Sequence, residues 1–187
     1  PGCTLVPYTT PFRSRLTRGL ALVMLLAGCS AEINGYRTQQ PALDIFHYFE
    51  GKSEAWGMVQ DRSGKQIRRF HVEIQGEVLG DTLTLNEHFV YDDGEKQQRV
   101  WHIRRTANDR YEGTAGDIEG TANGQSAGNA FNWHYSMNVK ADGKTWLLDF
   151  DDWMYLQEGT HLFNKTAMKK LGVTVATVTL FFTKKDT

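Results

Sequence analysis

The chain has 187 residues, with 21 Lys and Arg against 22 Asp and Glu and a formal net charge of −1. That balance argues against a basic nucleic-acid-binding face, and two cysteines cannot supply a disulfide framework. The length suits one domain whose core needs no covalent staples.

The composition changes abruptly near the start. Residues 1–28 hold Arg13, Arg15 and Arg18 with no acidic residue, and an apolar run from Leu20 to Ala27 follows. A basic segment, a short apolar run and small residues behind it mark a secretory signal, and the run is shorter than the about 20 residues a bilayer span requires. Leu26-Ala27-Gly28-Cys29 resembles the lipobox of bacterial lipoproteins, so removal of residues 1–28 and acylation of Cys29 are expected. Ser30 in the next position resembles the class sorted to the outer membrane, which places the chain on its periplasmic face. Because the chain opens on Pro1, residues 1–12 read as an upstream extension or a fragment edge. The 159 residues from Cys29 onward keep 18 basic against 22 acidic side chains and no free thiol. Their membrane partner would be held by acyl chains rather than by a polybasic grip.

Residues 29–40 read as lipidated Cys and polar tether, and residues 41–187 as one domain. Pro41 to Gly51 reads as one short helix, with Pro41 in its first turn and Gly51 at its end. Strands follow. Asp61-Arg62-Ser63-Gly64, Asp92-Asp93-Gly94, Asn108-Asp109, Asn123-Gly124 and Asp142-Gly143 read as turns. Between them lie the alternating runs 66–75, 82–91, 99–106, 111–118, 131–139 and 145–154. A second helix is expected late, with Asn164 as N-cap, Met168 and Leu171 on one face and Gly172 as terminator. Val173–Phe182 is apolar on both faces and reads as a buried, closing strand. The fold expected is all-β with one or two short helices: an antiparallel meander closing into a lipocalin- or calycin-like barrel, or a strongly curved sheet. A two-sheet sandwich competes.

One hairpin reads to the residue. A three-residue Asp92-Asp93-Gly94 loop pairs Tyr91 with Glu95, Phe89 with Gln97, Glu87 with Arg99 and Leu85 with Trp101. Glu87 therefore shares the apolar face of Leu83, Leu85, Phe89 and Tyr91, opposite Arg99. Two readings stand: a pair at a wet rim, or a pair inside a cavity poised to meet the polar head of a ligand. Phe131, Trp133, Tyr135, Met137 and Val139 share a face, as do Trp146, Leu148 and Phe150. The large rings either fill the interior or line a pocket, and filling is the commoner use.

No nucleophile elbow, zinc-protease helix or phosphate loop is present, so the residues speak against catalysis more than for it. No cofactor or metal is expected. His71, His102 and His134 fall on polar faces and no pair has ligand spacing. In the run Asp149-Phe150-Asp151-Asp152-Trp153, Asp149 and Asp151 read as solvated, whereas Asp152 points to the apolar face. A calcium or glycosidase site there is conceivable. The glycines at 113, 116, 120, 124 and 128 read as bends and close approaches in a curved sheet. A transmembrane barrel is disfavoured by Arg68, Arg69, His71 and Glu73 across both faces of one strand.

Gln60-Asp61-Arg62-Ser63-Gly64, Arg99-Val100-Trp101, Gly128-Asn129-Ala130-Phe131-Asn132-Trp133 and Asp151-Asp152-Trp153-Met154-Tyr155 together resemble an uncharacterised proteobacterial lipoprotein family, domain of unknown function 3833. The likeness runs from about Pro41 to Phe182. It implies a periplasm-facing lipoprotein with a lipocalin-like sheet, and members encoded beside genes for modifying membrane fatty acids, so a lipidic or fatty-acid-like ligand such as palmitate would be natural. It carries no catalytic residues. The function expected first is binding or shuttling of a lipid or other small apolar ligand, with Trp101, Trp133, Tyr135 and Phe150 lining the cavity, Arg99 meeting a carboxylate or phosphate head, and Glu87 and Asp152 as its other polar groups. A filled-core interaction protein comes second. An enzyme on a lipid-like substrate, with Asp152 or Glu87 as acid or base, comes third.

Overall fold

The computed structural model describes residues 31–141 and 143–185. The signal-like segment, Cys29 with its lipobox, Ser30 and Asp142 lie outside the described residues. A 3-10 turn (Ile33–Tyr36) and a short helix α1 (Ile45–Phe49) precede ten strands. These are β1 (Gly51–Asp61), β2 (Gln66–Leu79), β3 (Thr82–Tyr91), β4 (Lys96–Ala107) and β5 (Arg110–Thr114), then β6 (Ile118–Ala127), β7 (Ala130–Ala141), β8 (Lys144–Glu158), β9 (His161–Lys170) and β10 (Val173–Lys184).

Each strand pairs antiparallel with the next, and β10 returns to β1, so the meander closes into a barrel rather than an open sheet or a sandwich. Closure leaves no unpaired edge. The β3–β4 register is the one the turn dictates: Leu85 faces Trp101, Glu87 faces Arg99 and Phe89 faces Gln97. Gly94 sits at φ 85°, and Tyr91 N–H donates to the Glu95 carbonyl at 2.9 Å, closing the three-residue loop.

Several local expectations are corrected. The run 111–118 is not one strand: β5 ends at Thr114 and β6 begins at Ile118, with a turn between them. β10 closes the barrel but is half-buried over most of its length, with Val173 and Thr174 exposed. The late helix is absent: Asn164 to Lys170 belong to β9, where Leu162, Asn164, Thr166 and Met168 alternate inward. Asn164 does not cap a helix; its amide donates to the Asp152 carboxylate, so an inward polar residue interrupts the apolar alternation that would reveal the strand. Asn123-Gly124 is not a turn but the middle of β6, where Gly124 pairs with both Tyr111 and Trp133. A Cβ on Gly124 would lie 2.3 Å from the Trp133 ring, so the missing side chain is the space that ring fills.

The ends of the barrel differ. At one end α1 forms a plug. Asp44 accepts the Phe46 N–H at 2.9 Å and caps the helix, which starts at Ile45 rather than with Pro41 in its first turn. Lys184 Nζ donates to the carbonyls of His47, Tyr48 and Glu50 at 2.8–2.9 Å, satisfying acceptors that a helix C-terminus leaves open. Arg105 binds Asp44 at 2.8 Å and lies over the Phe46 ring. Part of the stretch read as tether is folded on this end as well: the Tyr36 ring sits 5.9 Å from Trp153 and 5.5 Å from Tyr155.

The main core occupies the plugged half. Ile45, Phe46 and Phe49 of α1 pack with Leu83, Leu85, Trp101, Ile103, Phe131, Trp133 and Phe182. Each such side chain contributes roughly 1.5–3 kcal/mol on full burial. Nearer the other end, among the described residues, Leu148, Phe150 and Met168 form a small separate cluster. The interior there is open.

Candidate functional site

The open half is a cavity of about 970 Å³ that runs from Ile45 and Phe49 at the plug to Lys140, Trp146 and Lys170 at the mouth. The mouth is framed by the hairpin ends of β1–β2, β3–β4, β7–β8 and β9–β10. Exposed apolar side chains stand around it: Ile67, Trp146, Leu147, Leu171 and Val173.

All seven residues singled out as candidate ligand contacts line this cavity: Glu87, Arg99, Trp101, Trp133, Tyr135, Phe150 and Asp152. Strand parity places them, because every second side chain of a closed barrel points inward. The aromatic members form a continuous wall. Tyr135 stacks on Phe150 with ring centroids 4.9 Å apart, and Trp101 meets Tyr135 edge-on at 5.3 Å and Trp133 at 5.8 Å. Met137 and Phe89 complete the wall beside Arg99.

The polar groups form two knots. In the first, Asp117, from the turn between β5 and β6, accepts Arg99 Nε at 2.9 Å and Nη2 at 2.7 Å. Arg99 Nη1 stands 3.8 Å from Glu87 Oε2, and that oxygen accepts no hydrogen bond. Of the two sequence readings, the pair is therefore inside the cavity: the surface left open on Glu87 and Arg99, 15% and 19% of their side chains, belongs to cavity-lining residues. Burial pushes the Glu87 carboxyl up to about 7; Arg99 opposes the shift, while Asp117 and Asp152 add to it. For Arg99, burial disfavours the charge, but Glu87 and Asp117 outweigh it and hold the guanidinium protonated.

In the second knot, Asp152 is buried between Trp133 of β7 and Thr166 of β9. Its Oδ1 accepts from Asn164 Nδ2 and, at 2.9 Å, from Thr166 Oγ1. Burial raises its pKa to about 6, against the pull of those two donors. Burial first, then the Asp152 charge, keeps the Tyr135 hydroxyl protonated far beyond its usual range. The other two acids of the run face outward: Asp149 accepts from Ser136 at 2.7 Å, and Asp151 is held by Lys169 at 2.7 Å. His71 and His134 lie on the outer wall beside Glu54 and Asp151.

Asp117, Asn164 and Thr166 are site residues that sequence reasoning missed. Asn164 and Thr166 carry a usable signal, alternation with Leu162 and Met168. Asp117 carries none, since it lies in a turn 18 residues from Arg99.

Residues 23–184 match the family described as Protein of unknown function (DUF3833), and the chain belongs to it. No curated protein matches. Among solved structures, an S-type phycobiliprotein lyase, CPES, from Guillardia theta is similar at 8% identity and a TM-score of 0.54, covering 76% of this chain and 92% of that one. A redesigned β-barrel, mFAP1 bound to DFHBI, is 8% identical at a TM-score of 0.40, covering 74% and 97%. The likeness to the lyase is one of fold, an all-β barrel of lipocalin-like class.

Proposed function

We propose that this DUF3833 chain is a binding protein of the bacterial envelope that holds or shuttles a lipid or other small apolar molecule in its barrel. The observation that carries the reading is the cavity itself. Its volume of about 970 Å³ lies at the upper end of ordinary small-molecule sites, and it is aromatic-walled, plugged at one end and open at the other. A barrel packed solid for interaction alone would fill that half with side chains, as the plugged half is filled. Two short polar knots in an otherwise apolar chamber are the usual means of orienting a ligand. In this reading the apolar mouth residues ease entry of a molecule that avoids water.

The envelope setting rests on the sequence of the leader: the basic segment, the apolar run and the lipobox ending at Cys29. Acylation of Cys29 would hold the protein at the periplasmic face of the outer membrane.

Native mass spectrometry with lipid extraction, on protein purified from a bacterial envelope, tests the reading. A co-purifying apolar molecule in near-unit ratio is the expected result. A clean unliganded mass, with no uptake of lipids offered in excess, would overturn it and favour an interaction protein instead.

A further inference from the structure

If the cavity binds a ligand as proposed above, its polar knots dictate which end-group that ligand presents. Among the described residues, Arg99 is the cation of the inner cavity; Arg68, Lys140 and Lys170 line it only at the mouth. Arg99 is already committed. Asp117 takes Nε at 2.9 and 3.1 Å and Nη2 at 2.7 Å, Met137 Sδ lies 3.1 Å from Nη2, and Glu87 faces Nη1 at 3.8 Å. Glu87 and Asp117 therefore flank one guanidinium, and Asp152 lines the same cavity. An incoming carboxylate or phosphate would meet the carboxyl groups of Glu87 and Asp152, with the Arg99 charge already paired to Asp117, at a depth where an unpaired charge is costly. The acceptors, by contrast, are not all used. Glu87 lines the cavity with 15% of its side chain open, and its buried Oε2 accepts no hydrogen bond, so the carboxyl lacks a donor that a ligand could supply.

We propose that the ligand's polar end is a hydrogen-bond donor, a hydroxyl or a protonated amine, seated on the open part of the Glu87 carboxyl, and that acid-ended chains are selected against. This departs from the sequence expectation that Arg99 itself meets a carboxylate or phosphate. Arg99 becomes a positioning residue: Asp117 fixes it, and it holds the Glu87 carboxylate in place. The Phe89, Trp101 and Tyr135 rings then cover the first carbons of the apolar tail.

The test is displacement of a neutral fluorescent probe, N-phenyl-1-naphthylamine, from the full chain by dodecylamine, dodecanol and dodecanoate. At about pH 8 the free acid is ionised and the free amine protonated. The amine and the alcohol are expected to displace the probe at about tenfold lower concentration than dodecanoate. Glu87→Gln should remove the advantage of the amine over the alcohol, and Asp117→Asn, by freeing Arg99, should improve dodecanoate. If dodecanoate displaces as well as the amine and the alcohol in the wild-type chain, the inference fails while ligand binding stands. If the probe never binds and nothing is taken up, the cavity-binding reading fails and this inference with it.

Discussion

Arg99 and Asp117 are joined by a two-point contact, Nε and Nη2 at 2.9 and 2.7 Å from one carboxylate, although 18 residues separate them. This contact decides the character of the cavity. Glu87 is the cross-strand neighbour of Arg99, yet it receives only a 3.8 Å approach and no hydrogen bond. A hairpin pair that reads as one salt bridge is thus a triad with one unsatisfied acceptor, on a side chain that lines the cavity.

The first consequence is a pH-dependent stability. In the folded chain the Glu87 carboxyl titrates at about 7, above the ordinary 4.5, because burial outweighs Arg99. The unfolded chain therefore releases this proton first. The contribution is present below the ordinary value and is lost as pH rises through about 7, a swing on the order of 3 kcal/mol. Glu87→Gln should flatten that part of the profile. Urea midpoints of both proteins between about pH 4 and pH 8 measure it. Parallel profiles would show that Glu87 is solvated in solution.

Asp152 separates charge from hydrogen bonding. Its buried carboxylate accepts from Asn164 and Thr166, but burial, with the Asp151 charge adding to it, raises its pKa to about 6. Asp152→Ala should cost about 2 kcal/mol, since two donors lose their acceptor and a void replaces it. Asp152→Asn keeps an acceptor oxygen and removes the buried charge, so above pH 7 it should be close to neutral. Thermal unfolding of the pair decides the point; equal losses would mean that the charge itself holds the strands.

The plug depends on a missing side chain. A Cβ on Gly76 would stand 1.8 Å from the Phe49 carbonyl oxygen, which is backbone and cannot rotate away. Gly76→Ala should push α1 off the barrel end and destabilise the fold by about 2–3 kcal/mol. Gly159→Ala, with nothing within 4 Å, should change stability by less than about 0.5 kcal/mol and serves as the control. Equal effects in denaturant titrations would show that the helix is not seated there.

Legibility in the sequence followed the range of the forces involved. The β3–β4 hairpin was readable to the residue because a tight turn fixes register and register fixes parity, which is how Glu87, Arg99 and Trp101 were placed on one face. The seven cavity residues came from the same parity. β9 was not readable, because its inward Asn164 and Thr166 are paired with Asp152 on a neighbouring strand and look like surface residues when that partner is unseen. Gly124 misled for a related reason: its smallness serves the Trp133 ring, not a turn. The Arg99–Asp117 contact depends on where a turn comes to rest after barrel closure, and no local pattern encodes that.

The β9–β10 turn offers the last test. Leu171 and Gly172 are its two central residues, at φ 50° and 78°, the paired left-handed geometry of a tight hairpin turn that favours Asn-Gly. Leucine in that region carries a steric cost of about 1 kcal/mol, and Leu171 is 90% exposed, so packing within the domain returns little of it. Leu171→Gly should therefore raise stability by about 1 kcal/mol, and Leu171→Asn by part of that. If the side chain is kept at the mouth to ease ligand entry, both variants should also take up the neutral probe more slowly while binding it with unchanged affinity. A stopped-flow uptake rate, read beside the melting temperature, separates the two effects. A loss of stability in both variants would show instead that Leu171 packs against the rim in solution, where Val173 and Trp146 are also exposed apolar side chains.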